Sequence, residues 1–151
     1  MPEVWKPSVT VAAIVERGGR FLVIEEMVNG KRVLNQPAGH LDPGESLIEA
    51  CAREVLEETA HVFAPGTLVG VYRWHYAPAG VTYLRFAFGG EVKDFDRARK
   101  LDSEIVAVHW LSAAELRERS HMHRSPLVMR CVEDYLAGRR FPLDVLSSDY
   151  A

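Results

Sequence analysis

The sequence predicts an α/β fold in which helices pack on both sides of a mixed β-sheet, an α/β/α sandwich. Three observations carry that expectation. Short β-branched and aromatic runs are separated by turn residues, two helix starts have sharp capping signals, and strands and helices alternate along the chain. A chain of 151 residues has the size of a single domain, read here as residues 1–151.

The first strand spans Ser8 to Val15. Arg17-Gly18-Gly19 is turn chemistry, and Arg20 to Ile24 is a second strand that forms a hairpin with the first. Asn29-Gly30 marks another turn. Asn35 to Ser46 (NQPAGHLDPGES) is dense in Gly, Pro, Asn and Asp and reads as a loop. Ser46 and Glu49 form a capping box that starts a helix ending near Thr59. Leu47, Ile48, Cys51, Ala52 and Val55 form its apolar side. Thr67 to Tyr76 and Val81 to Phe88 read as strands joined by the turn Ala77 to Gly80. A charged loop, Asp94 to Ser103, leads to a strand from Ile105 to Leu111. Ser112 and Glu115 form a second capping box. Ser125-Pro126 starts the last helix, with Ser125 as N-cap, and Gly138 stops it.

At 48% hydrophobic and 26% charged, the chain can bury a core without disulfide or metal staples. A net charge of −3 provides no basic footprint, so a nucleic-acid polymer is not an expected partner. Cys51 and Cys131 lie in apolar helical patterns and read as buried free thiols. The N-terminal segment MPEVWKPSVT lacks the features of a signal peptide, and no apolar run approaches the ~20 residues of a membrane span. No membrane partner is expected, and the expected setting is cytoplasmic.

The chemistry concentrates on the first helix. At ~100° per residue, Glu57 falls about 60° to one side of Glu54 and Glu58 about 40° to the other. Three carboxylates therefore share one narrow face, away from Val55 and Cys51. Like charges at this spacing repel, and a hard divalent cation turns that repulsion into binding. Arg53 lies beside Glu57 and can orient it. Pro37-Ala38-Gly39 can bring a main-chain carbonyl close to such an ion, because Gly39 has no side chain to obstruct. Taken alone, an REVLEE helix is more often a solvated face with i,i+4 pairs. The joint spacing changes that balance.

Gly39, five residues, Glu45, seven residues, then Arg53-Glu54-Val55-Leu56-Glu57-Glu58 resembles the signature of the Nudix hydrolases. The box covers residues 39–61. Beyond it, NQPAGHLDPGE, TYLRF, RSPLV and GRRFPL resemble a subgroup of the family, the NudJ-type phosphatases. One position departs from the pattern. Ala60 stands where the family has a helix-ending glycine, and His61 follows where an apolar residue is usual.

The resemblance implies a Nudix-like sandwich and hydrolysis of a phosphoanhydride by water attack on phosphorus. It implies Mg²⁺, with Mn²⁺ as a substitute, held by Glu54, Glu57, Glu58 and a carbonyl of Ala38 or Gly39. Arg53 and Glu45 would orient these groups. The general base would be Glu57, Glu58, Glu104 or Asp102. Substrates would be nucleoside tri- or diphosphates or small diphosphates such as a thiamin-precursor pyrimidine diphosphate, taken by a monomer or homodimer. The alternative is a catalytically silent nucleotide sensor, which the intact acid set disfavours.

Arg85, Tyr83 and Gln36 are the candidate substrate contacts, with Arg73, Trp74, Tyr76 and Asn35 nearby. Arg85 can meet a phosphate or form a surface salt bridge. Trp5 is expected in the core, and His121 and His123 read as loop residues.

Overall fold

In the computed structural model, which describes residues 1–148, the strands divide between two sheets. The last three residues of the expected 1–151 domain lie outside the described residues. The strands are β1 (Ser8–Ile14), β2 (Glu16–Arg17), β3 (Arg20–Val28), β4 (Lys31–Asn35), β5 (Ala38–His40), β6 (His61–Tyr76), β7 (Val81–Phe95), β8 (Ile105–Ser112) and β9 (Phe141–Pro142). The helices are α1 (Leu47–Thr59), α2 (Ala113–Glu118) and α3 (Leu127–Leu136).

One sheet runs β5-β1-β7-β6-β9 and is mixed: β1 is parallel to β7 and antiparallel to β5. The other is antiparallel, with β3 between β4 and β8 and the short β2 pairing on the start of β3. Strand alternation sends side chains to two cores. Val11, Ala13, Leu68 and Phe88 pack with Ala50, Cys51 and Val55 of α1. Their neighbours Ile14, Val69 and Ala87 pack with Cys131 and Val132 of α3. The mixed sheet thus lies between helices, as the sequence predicts. The second sheet serves both cores, with Leu22 in the first and Phe21 and Val23 in the second.

The expected hairpin is divided. Gly18 and Gly19 both have positive φ (57° and 79°), which makes the tight two-residue turn, but only β2 pairs across it. β1 leaves for the mixed sheet because it is apolar on both faces and needs cover on both. The strands after α1 are longer than expected: β6 begins immediately at His61 and β7 runs to Phe95. The loop before α1 contains a short strand, β5, at the edge of the mixed sheet.

Both capping boxes form, Ser46 with Glu49 and Ser112 with Glu115. α3 starts one residue later than expected, with Pro126 at the cap and the Ser125 hydroxyl accepting from the Leu127 N–H. Cys51 and Cys131 are buried free thiols. Trp5 is 68% exposed and does not enter the core, which corrects that expectation. The N-terminal segment precedes β1 and lies outside both apolar clusters. Among the described residues no helix is long and apolar enough to cross a membrane.

Ala60 ends α1 in the left-handed conformation (φ 61°, ψ 14°) that the family glycine suits. Its N–H donates to the Leu56 carbonyl and its own carbonyl accepts from the Asp96 N–H, so the turn is fixed on both sides. An alanine there bears the steric cost of its Cβ against the following carbonyl. Ala60→Gly should therefore stabilise the protein by about 1 kcal/mol, read as a higher urea midpoint at unchanged slope. A lower midpoint would mean that packing of the buried methyl outweighs the backbone term.

Candidate active site

The acidic face of α1 divides in two. Glu54 and Glu57 stay half-buried at the surface, and Asp102 joins them: one oxygen from each lies within 4.8 Å of the others. Asp102 arrives for a backbone reason. The Glu57 carbonyl belongs to the last turn of α1 and lacks an intrahelical partner. The Asp102 N–H donates to it at 3.1 Å, which fixes the loop against the helix end. Glu58 is buried instead, and its Oε1 accepts from the Ala38 N–H at 2.7 Å.

Arg53 organises the rest. Its Nε and Nη2 donate to the two oxygens of Glu45 at 2.9 and 2.7 Å, a bidentate pair. Nη1 donates to Glu54 at 2.8 Å and Glu57 at 3.2 Å, and Nη2 also reaches the His40 carbonyl at 2.9 Å. Glu45 in turn accepts from the Asp42 N–H, closing the loop before α1. The hydrogen bond from Arg53 is the largest influence on Glu45 and holds its carboxyl below the usual range.

Gly39 leaves room for Glu54 to lie against the main chain. A Cβ at this position would overlap the carboxylate of Glu54. Burial pushes the Glu54 carboxyl up to about 7, against the pull of Arg53. Burial pushes Glu58 up to about 9; the Ala38 N–H opposes this, and the charges of Glu54, Glu26 and Asp102 add to it. The cluster thus gathers more carboxylate than the one guanidinium can neutralise. Such an oxygen-donor set fits a hard divalent cation.

The other expected residues separate. Glu104 lies on the exposed loop, where its side chain accepts from the Ser103 hydroxyl. Arg85 is buried and not in an ion pair among the described residues, so the surface salt bridge is ruled out. It donates to the side-chain oxygens of Gln36 and Asn35, both at 2.9 Å. Gln36 donates to the Val128 carbonyl of α3. These bonds clamp the segment leading into Ala38. Tyr83 stacks on Trp74 at 5.7 Å between centroids.

Two residues that the sequence did not single out lie beside the cluster. Glu26 is buried on β3, and Arg124 pairs with it at 2.6 Å. β3 extends to Val28, beyond the apolar run Arg20 to Ile24 that signals a strand, so Glu26 falls outside the expected element.

Known proteins resemble this chain along most of its length. A NUDIX domain model matches residues 5–131. The chain is 42% identical over 142 residues to the protein named phosphatase NudJ of Escherichia coli, covering 94% of this chain and 92% of that one. A NUDIX hydrolase structure from Nitrosomonas europaea superposes with a TM-score of 0.94 at 56% identity, covering 95% of this chain and 98% of that chain. A MutT NUDIX hydrolase from Burkholderia pseudomallei, at 20% identity and TM-score 0.73, covers 86% of this chain and 98% of its own and shares the fold.

The raised carboxyls define a pH dependence. In metal-free protein the fold keeps Glu54 and Glu58 protonated after the unfolded chain ionises, from about pH 4.5 upward. The unfolded state then binds fewer protons, so this contribution to stability falls as pH rises, until about pH 7 for Glu54 and about pH 9 for Glu58. Glu58→Gln keeps an acceptor for the Ala38 N–H and removes the larger part. In EDTA the variant should match wild type near pH 4.5 and exceed it by about 1 kcal/mol or more at pH 8. A stability difference that does not grow with pH would refute the assignment.

Proposed function

The chain belongs to the Nudix family, and on that premise we propose that it is a Mg²⁺-dependent hydrolase of phosphoanhydride bonds in nucleoside tri- and diphosphates or related small diphosphates. It is an enzyme of the pyrophosphohydrolase or phosphatase kind, in keeping with the relatives it resembles. The observation that carries the proposal is the convergence of Glu54, Glu57 and Asp102 in front of Gly39, under the control of Arg53.

In this reading Glu54, Glu57 and Asp102 hold the ion, with Mn²⁺ able to replace Mg²⁺. A main-chain carbonyl of Ala38 or Gly39 completes the set, and Glu58 joins directly or by fixing Ala38. When bound, such an ion supplies Lewis-acid stabilisation of the charge that develops on the phosphate oxygens. Arg53 keeps Glu54 and Glu57 in place and limits their mutual repulsion.

The general base is drawn from Glu57, Glu58, Asp102 and Glu104. Proximity to the cluster favours the first three, because Glu104 is engaged on the exposed loop. Arg85 and Gln36 serve the substrate by fixing the wall that ends in Ala38, and Tyr83 serves it through the aromatic row that it shares with Trp74. The protein works on small phosphorylated metabolites in the cytoplasm, as one domain per chain, monomeric or homodimeric.

Glu57→Gln should lower Mg²⁺-dependent phosphate release by at least about a hundredfold while the circular dichroism spectrum and thermal midpoint hold. Asp102→Asn should act in the same direction. Unchanged turnover in both variants would rule out this site. Nucleotide binding without hydrolysis, across a panel of di- and triphosphates, would instead support a silent sensor.

A further inference from the structure

A cleft of about 400 Å³ opens between the end of β6 and the segment leading into α3. We propose that this cleft binds the planar heteroaromatic ring of the substrate whose phosphates lie at the acidic cluster, an inference that rests on the hydrolase reading above.

The cleft has an aromatic wall. Trp74 stacks on Tyr76 at 5.4 Å and 28°, and on its cross-strand partner Tyr83 at 5.7 Å and 18°. The three rings form a row along one face of the β6–β7 ribbon. Tyr76 is 39% exposed and Trp74 half-buried, so the row is partly open to solvent. Met129 adds apolar surface, and His123, Arg124 and Ser125 form a polar side. A ring pocket needs this combination: π-faces for stacking and a few edge donors and acceptors for orientation.

The cleft also communicates with the acidic cluster. Arg124 lines it and at the same time donates to Glu26, whose charge acts on Glu58. Only Nη1 of Arg124 is engaged among the described residues, which leaves the rest of its fork for a phosphate oxygen. The wall is joined to the site through the backbone: the Arg124 N–H donates to the Leu34 carbonyl, and Leu34 bridges His123. Leu34 stands four residues before Ala38, so at most about 14 Å of chain separates this wall from the residue that holds Glu58. An ester with a ring at one end and a di- or triphosphate at the other matches that layout.

The test compares ATP and CTP with inorganic tripolyphosphate, which has no ring, in wild type and in Trp74→Ala and Tyr76→Ala. Each substitution should raise KM for the nucleotides about tenfold with little change in kcat, and lower the nucleotide-to-tripolyphosphate ratio of kcat/KM by a similar factor. Tyr76→Ala changes an exposed side chain, so it reports even where Trp74→Ala fails to fold. A ratio that stays at the wild-type value overturns the proposal.

Calorimetry with a non-hydrolysable ATP analogue and Mg²⁺ separates this from the hydrolase reading. About tenfold weaker binding in Tyr76→Ala supports the cleft even where wild type hydrolyses neither substrate, and equal binding removes it.

Discussion

Arg53 donates to Glu45, Glu54, Glu57 and the carbonyl of His40, so the loop before α1 and the acidic face of α1 share one cation. Everything else at the site is arranged around that sharing. Glu45 fixes the guanidinium through two bonds and is itself fixed by the Asp42 N–H. Arg53 is then a rigid fork, and Glu54 and Glu57 take their positions from it. A lysine could not do this, because a single ammonium lacks the planar set of donors that spans three carboxylates.

The second constraint is steric. The carboxylate of Glu54 occupies the space that a side chain at residue 39 would fill. This gives the spacing between Gly39 and Glu54 a physical meaning. The short strand β5 runs antiparallel to β1, which brings Gly39 opposite Val11 and holds it over the helix. Ala38, one residue earlier, turns its N–H to Glu58. Two adjacent residues of one edge strand thus position two different glutamates, one by its lack of a side chain and one by its amide.

Local features of the structure are legible in the sequence, and long-range ones are not. The capping boxes at Ser46 and Ser112 depend on contacts three residues apart, and both form. The acidic stripe is local too, but the burial of Glu58 beside Ala38, which divides it, is not. The pairing of β1 with β7 joins Ser8 to Tyr83, and nothing near either residue announces it. Asp102 was named as a candidate from its loop, but its place beside Glu57 depends on an amide bond across the fold. For Arg85 the sequence suggests a phosphate contact or a surface salt bridge, and neither points to burial. Here Asn35 and Gln36 solvate it internally, and that requires β4 and α3 to meet over β7.

The arrangement explains why the acids are held on a helix and not on a loop alone. Glu54 and Glu58 are forced into partly desolvated positions where both resist ionisation. On a mobile segment they would swing to water and the repulsion would vanish. α1 cannot yield, because Cys51 and Val55 on its opposite side are locked in the core beneath the mixed sheet. Packing energy on one face of the helix therefore sustains electrostatic strain on the other. A divalent cation that took the place of the protons would find these carboxylates already gathered, and the apolar face of α1 determines where they gather.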